Sequence, residues 1–422
     1  MKQDIKERIG LINKGIVPAG YKKTPVGICP VEWDVNVYNN LGEFSKGYGI
    51  PGYSMIDNGV PCVGYGDIYT KYYIKFNLAK CFTDEITAQE SRKISKDTLL
   101  FTGSGETAEE IGKCVCYCGD EDIYAGGDII LFNTEKVNAL FLSYQQNLWS
   151  FIKEKARLGQ GHSVVHIYPD DISKVHAIFP KVLAEQQKIA EILDCATRQV
   201  ELQEQIVDKL KLQKKALMQR IFNGEYETIS IQEALNKNYL REIKPKDLEK
   251  FDGKKNYLST SSIIQNEIVL IEDVVTYENR PSRAQMKPLA NSVWFAKMTN
   301  SIKVIKANKE LEENYILSTG FYGFLCDEIN INSDFLKQVF LSDYFNKIKD
   351  LYSEGSSQNG IKGNALEKLL IPFMGLDKQL KIAKWLNLLD KNISLQQKLL
   401  DQYKLRQKAL MQLLLTGIVR VV

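Results

Sequence analysis

KALMQRIFNG at residues 215–224 returns as KALMQLLLTG at residues 408–417, 193 positions later. The same offset lays Gln187-Lys188-Ile189-Ala190 on Leu380-Lys381-Ile382-Ala383. A proline opens each copy, Pro180 and Pro372. Within the first copy Ile189, Leu193, Ala196, Val200, Gln203, Val207, Leu210, Lys214, Leu217 and Ile221 step by four and three alternately. In the second, Ile382, Leu386, Leu389, Ile393, Gln396, Leu400, Tyr403, Gln407, Leu410 and Leu414 do the same. That is a heptad seam sustained over more than four heptads. Polar residues fall at matching places, Gln203 with Gln396 and Lys214 with Gln407. Polar seam residues weaken a coiled coil but fix its register and pairing.

A helix from about 182 to 222 is roughly 60 Å long at about 1.5 Å per residue. Neither helix can bury its stripe alone, so the economical solution is that each buries the other in an antiparallel intramolecular coiled coil. The helices punctuate the chain into four parts: residues 1–180, an N-terminal helix and a first globular segment; 181–225, the central helix; 226–371, a second globular segment; and 372–422, the C-terminal helix. The globular segments barely resemble one another while the helices match. Two copies of one job on two different targets follow from that contrast.

Both globular segments read as mixed α/β (α+β) with short strands. GVPCVGYGDIYTKYYIKF (59–76) and DTLLFTGSG (97–105) look like strands broken by glycines, and IGKCVCYCGD and AGGDIILFN are further strands. NALFLSYQQNLWSFIKEKA (138–156) reads as a helix, as does SDFLKQVFLSDYFNKIKDLY (333–352). EIVLIEDVVTYENRPSRA carries a strand into a loop, and SVWFAKMTNSIKVIK and NYILSTGFYGFLC read as strands.

With 422 residues, 44% hydrophobic and 25% charged, the chain can bury several cores. A net charge of only +3 excludes coating nucleic acid by bulk charge but leaves a local basic face open. No apolar run suits a membrane helix, no signal peptide precedes the charged start, and free thiols in a reducing cytoplasm are expected of the eight cysteines. Cys114, Cys116 and Cys118 alternate, which puts three sulfurs on one side of a strand. Buried reduced cysteines explain that pattern better than a metal, because zinc sites favour Cys-x-x-Cys turns with a second ligand pair.

Amide, basic and aromatic groups concentrate where a polyanion could be read. In the second segment Tyr277, Asn279, Arg280, Ser282, Arg283 and Lys287 fall close together, followed by Lys297 and Lys303. Arginine offers a fork to guanine or phosphate, and amides pair with adenine edges. The first segment offers Tyr65, Tyr69, Thr70 and Lys71, then Thr102, Ser104 and Thr107 on a glycine-rich turn that lets a backbone approach closely.

Catalytic patterns are poor. Phe101-Thr102-Gly103-Ser104-Gly105 fits a loop that holds S-adenosylmethionine, but no Pro-Pro pair supplies the base-gripping partner motif. No phosphate-binding motor loop is present. Pro169-Asp170-Asp171 reads as a helix-capping turn rather than a nuclease carboxylate cluster, and His162 and His166 lack a third ligand nearby. A self-contained DNA adenine methyltransferase or endonuclease is the alternative to a binding protein, and a coiled-coil scaffold without a DNA role is a third.

These residues resemble the specificity subunits of type I restriction–modification systems over nearly the whole chain. The resemblance is carried by GYKKTPVGICPVEWDV (20–35, with Pro30 and Trp33), GVPCVGYGDIYTKY (59–72), LLFTGSGETAEEIG (99–112) and YAGGDIILF (124–132). It continues in YENRPSRAQM (277–286), VWFAKM (293–298), STGF (318–321) and GSSQNGI (355–361), and in EQQKIAEIL and DKQLKIAKWL at the helix starts. The second copy departs by lacking a Pro-x-x-Trp pattern. The resemblance implies a non-catalytic subunit with no cofactor of its own and two target recognition domains, each reading half of a bipartite double-stranded DNA site. It implies that the helices set the spacer and dock two methyltransferase subunits, with restriction subunits joining the larger complex. On this reading four residues inserted near Gln203 alter the tolerated spacer rather than either half-site.

Overall fold

The computed structural model describes residues 3–161, 163–264, 267–271, 273–353, 361 and 363–421. They fall into two units, Met1–Leu202 with Leu400–Val422, and Gln203–Leu399.

In the first unit Leu99-Leu100-Phe101 forms the middle of a strand buried on both faces, the near-continuous apolar run such a strand requires. The strands β1 (Glu43–Lys46), β2 (Lys75–Phe76), β3 (Thr98–Thr102), β4 (Cys114–Tyr117) and β5 (Ile129–Asn133) make one sheet in the order β1-β5-β3-β4-β2. Only the β4–β2 pairing is parallel. Alternation sorts the side chains. Leu99, Phe101, Cys114 and Cys116 join a core with Trp33, Tyr38, Phe141 and Phe151, whereas Leu100, Val115 and Tyr117 turn to a second five-stranded sheet. Helices α1 (Ala139–Gln146) and α2 (Trp149–Ala156) supply Phe141 and Phe151. One helix was expected here; the chain breaks at Leu148, whose backbone is extended with ψ 147°. The stretch Tyr65–Thr70, expected as strand, is also helical. Its first turn is closed by the Gly64 amide donating to the buried Asp67 carboxylate at 2.8 Å, a local bond that outweighs the β-leaning composition.

The helix α3 (Leu183–Phe222) leaves this unit. In the second unit β6 (Leu240–Ile243), β7 (Ser292–Ala296), β8 (Val304–Lys306) and β9 (Phe321–Cys326) form an antiparallel sheet ordered β6-β9-β7-β8. Val293 and Phe295 face helices α4 (Ser333–Leu341) and α5 (Asp343–Leu351), while Trp294 faces the other core. Trp294 needs Gly323 opposite it, since a Cβ there would stand 2.3 Å from the indole ring. A single helix was expected over 333–352; it breaks at Ser342, whose hydroxyl accepts from the Phe345 amide at 3.2 Å and caps α5.

The two lobes share one internal plan at an offset of 194. β3 matches β7, α1 matches α4 and α2 matches α5. Asn138 caps α1 and Asn332 caps α4. The backbone N–H of each Asn donates to a glutamine side chain of a long helix, Gln186 at 2.8 Å and Gln379 at 3.0 Å. The last helix is α6 (Leu376–Leu415).

Each unit holds its own stretch of the α3–α6 seam. In the first, Ile189 and Leu193 share a core with Met411 and Leu414, and Gln407 bonds Thr197. In the second, Gln203 donates to Gln396 at 2.7 Å, Lys214 pairs with Asp390, and Phe222 shares a core with Ala383 and Leu386. Within each unit numbers rise along α3 as they fall along α6, so the helices pair antiparallel. Ile189, Leu193, Ala196, Val200, Val207, Leu386 and Leu400 are buried, and Leu210, Leu217, Ile382, Leu389, Ile393, Tyr403 and Leu410 are half-buried. Gln203 and Gln396, equivalent in the repeat, touch each other.

Candidate functional site

In the first lobe the structure gathers Tyr69, Thr102 and Ser104 at the end of β3. The Tyr69 hydroxyl meets Thr102 Oγ1 at 2.7 Å and donates towards the Ser104 carbonyl at 3.0 Å. Thr102 also accepts from the Lys113 amide, and the Ser104 hydroxyl meets His166 Nδ1 at 2.9 Å. Thr102 and Ser104 are buried, so these hydroxyls are spent inside the lobe. Gly105 is required by the same knot, because a Cβ there would lie 2.9 Å from the Tyr69 oxygen. Tyr65, Thr70, Lys71 and Thr107 remain on the surface around it. Lys71 is paired with Asp67 at 2.9 Å, and its ammonium also meets the Cys81 sulfur.

In the second lobe the arginines divide. The Arg280 guanidinium lies 3.8 Å from the Tyr277 ring centre, a cation–π contact, and donates to the Tyr277 carbonyl. Asn279 turns its Oδ1 to the Thr276 amide and hydroxyl. Ser282 and Arg283 are exposed and Lys287 half-buried. Lys297 stands apart on the turn after β7, its ammonium 4.1 Å from the Tyr322 ring centre, and burial lowers its pKa.

Of the lysines that shape these turns, sequence reading singled out Lys303 only as a basic group and missed Lys113, Lys155 and Lys349. Lys113 donates to the Tyr72 carbonyl at 2.9 Å, and Lys303 to the Thr260 carbonyl at 2.6 Å. Deeper still, Lys155 donates to the Gly112 and Gln146 carbonyls at 2.6 and 2.9 Å. Lys349, 194 positions on, donates to the Met298 and Ser301 carbonyls. Each ties the turn after the central strand to the helix that covers it.

Burial pulls the Lys155 pKa down to about 8, against about 10.4 for a free lysine. Between those values the unfolded chain binds the extra proton, so stability rises with pH across that window. The advantage of the wild type over Lys155→Met should therefore grow by roughly 2 kcal/mol between pH 7 and pH 9.5. Urea midpoints of both proteins at the two pH values check it; a constant difference refutes it.

Among the described residues Asp97, Cys116 and Cys118 could together hold a metal ion, their ligand atoms lying within 4.8 Å of one another. The two sulfurs are 3.5 Å apart as an S–H···S contact. Phe101 of the Phe-x-Gly-x-Gly pattern is wholly buried with its ring against Tyr38, so the core uses it. Asp171 accepts from the Tyr168 amide and caps the short helix Pro169–Ile172, as its position implied. His162 and most of GSSQNGI lie outside the described residues.

Comparison with known proteins agrees with this architecture. Residues 30–212 match the family model described as type I restriction modification DNA specificity domain. The type I restriction enzyme MjaVIII specificity subunit of Methanocaldococcus jannaschii is 24% identical over 93% of this chain and 94% of its own. The putative type I restriction enzyme MjaX specificity subunit of the same organism is 25% identical over 95% and 97%. A type I restriction–modification S subunit from M. genitalium has the same fold, with TM-score 0.59 at 13% identity over 90% of this chain and 96% of that one. A chain from a structural study of the assembly and conformational transition of a type I restriction–modification system follows at TM-score 0.53 and 11% identity, covering 93% and 99%.

Proposed function

We propose that the chain is a type I restriction–modification specificity subunit, like the relatives it resembles over nearly its whole length, that its lobes are two readers of one split DNA target and that it catalyses no step itself. The observation that carries this is the pairing of a constant inside with a variable outside. The lobes repeat the same caps, strands and buried lysines at an offset of 194, yet offer Tyr65, Thr70, Lys71 and Thr107 in one and Asn279, Arg280, Ser282 and Arg283 in the other. Matching caps, central strands and buried lysines under different surface groups suit unlike half-sites.

The helices would dock the partners that do the chemistry. Leu202 and Leu395, equivalent in the repeat, are 53% and 55% exposed, and Leu212 and Leu405 are 67% and 69% exposed. Apolar side chains left open at matching positions suit two copies of one partner; methyltransferase subunits fit that stoichiometry, with restriction subunits joining later. Affinity would come from phosphate contacts and fall with salt. No described helix is long and apolar enough to cross a membrane, and work on cytoplasmic DNA is consistent with free cysteines.

The test is methylation by the assembled complex, read by sequencing the modified bases across a genome. A bipartite motif is expected. Arg283→Ala should weaken modification through one half-site only, by about 1–3 kcal/mol per lost base contact. Arg280→Ala should do the same to a smaller degree, since its guanidinium is partly committed to Tyr277. If both variants modify the motif as the wild type does, the second-lobe site lies elsewhere. Methyl transfer by the purified chain alone would favour the methyltransferase alternative.

A further inference from the structure

A polar chain, buried in the first unit and partly buried in the second, runs from each lobe into the helix seam. In the first unit the Tyr144 hydroxyl on α1 meets Thr197 Oγ1 on α3 at 2.8 Å, and Gln407 on α6 donates Nε2 to the same oxygen at 2.8 Å. In the second, Gln338 on α4 donates Nε2 to Asp390 on α6 at 2.8 Å, and Lys214 on α3 pairs with the other carboxylate oxygen. The members correspond across the repeat: Tyr144 with Gln338, Thr197 with Asp390, Gln407 with Lys214. Each junction therefore ties three elements at one point, a lobe helix and both long helices. Tyr144, Thr197, Gln407 and Gln338 are buried, and Lys214 and Asp390 half-buried.

Polar groups in an apolar seam cost stability, and their best-attested return is a single register. Apolar contacts alone tolerate several near-equal packings and lose uniqueness before they lose stability. Directional bonds among three helices do not. The chemistry also differs between the junctions, neutral in the first and charged in the second. If α3 paired with another copy of α3, Thr197 would meet Lys214; if α6 paired with another α6, Asp390 would meet Gln407. Either arrangement separates the charges, so the pattern favours α3 against α6.

We infer that the Tyr144–Thr197–Gln407 and Gln338–Asp390–Lys214 junctions are positioning devices that fix how each lobe is turned on its own stretch of the helix pair, and thereby restrict the spacer length that the complex accepts. This rests on the reading of the lobes as half-site readers. No member touches DNA in that reading, so half-site sequence should be indifferent to them.

The experiment uses the full chain assembled with its methyltransferase partners and DNA carrying the identified motif with spacers lengthened or shortened by single base pairs. Tyr144→Phe combined with Thr197→Val should raise modification of wrong-spacer DNA about tenfold relative to the correct spacer, the equivalent of one or two lost hydrogen bonds. Lys214→Asp should do likewise. Adding Asp390→Lys should restore discrimination, because the exchanged pair re-forms and the Gln338 Oε1 acceptor, buried without a partner among the described residues, can take the new ammonium. Unaltered spacer discrimination in all variants overturns the inference, as does an altered half-site. So does an exchange variant that folds and assembles without recovering discrimination. A wild-type complex that modifies no split motif instead removes the half-site reading itself, and shows this before any variant is made.

Discussion

Leu193→Asp should unfold the first unit and Leu386→Asp the second, each by more than about 5 kcal/mol. Leu193 is wholly buried in the core that joins the β1–β5 sheet, α1 and α3 to the last turns of α6. Leu386 holds the same place where α3, α4 and α6 meet. Truncating such a leucine costs about 2–5 kcal/mol through lost burial and the cavity left behind. A carboxylate stranded there adds the cost of an unpaired charge. Whole domains are stable by only about 5–15 kcal/mol, so the affected unit should not survive. Leu202→Asp and Leu395→Asp, at exposed positions on the same helices, should stay within about 0.5 kcal/mol of the wild type. Urea titration followed by mapped limited proteolysis distinguishes the cases. Early cuts should fall between residues 20 and 180 for Leu193→Asp and between 226 and 371 for Leu386→Asp. Wild-type midpoints for both variants would sink the assignment of these leucines to the two cores.

That the seam was legible and the lobes were not has a physical cause. The 193-residue repeat and the four–three step are set by helix geometry, and any residue that breaks them exposes apolar surface. The pattern therefore survives in the letters from Ile189 to Leu414. Lobe strands are short and their order in the sheet depends on distant partners, such as β2 lying beside β4, which no local period announces. Tyr65–Thr70 looked extended because tyrosine, isoleucine and threonine favour strands, yet one amide–carboxylate bond from Gly64 to Asp67 decided for a helical turn. The turn around Thr102 and Ser104 was found, but the inward direction of their hydroxyls came from Tyr69 and His166, which lie 33 and 62 positions from their partners. Lys155 and Lys349 carried a usable signal. Each stands seventeen positions after the asparagine that caps the preceding helix, Asn138 or Asn332, so sliding the repeat offset by one residue would have aligned them.

Trp33→Ala should cost the first unit about 3–5 kcal/mol, although Trp33 lies on none of the long helices. Its ring is wholly buried, edge-on to Phe141 of α1 at 6.3 Å between centres. The chain that follows α6 packs on the same spot. Gly417 has φ +70°, and a Cβ there would stand 2.5 Å from the Pro30 ring and 3.1 Å from the Trp33 ring. Arg420 passes over Trp33 with its guanidinium 5.9 Å from the ring centre and grips Glu185 through two bonds of 2.6 and 2.8 Å. Pro30, Trp33 and Gly417 thus form one seat, which explains why Pro-x-x-Trp near the start belongs with the glycine closing the repeat rather than with a DNA contact. In the second unit a Cβ at Gly224, the counterpart of Gly417, would stand 2.8 Å from the Tyr226 ring, so a nearby aromatic crowds this glycine where Pro30 and Trp33 crowd the other. Trp33→Phe keeps an aromatic in the seat and removes an indole N–H that finds no partner among the described residues, so its cost should be clearly smaller, on the order of 1–2 kcal/mol. Urea midpoints of the two variants decide the matter: equal losses would point to the indole nitrogen instead of the ring, and a loss under about 1 kcal/mol for Trp33→Ala would show that the core closes without it.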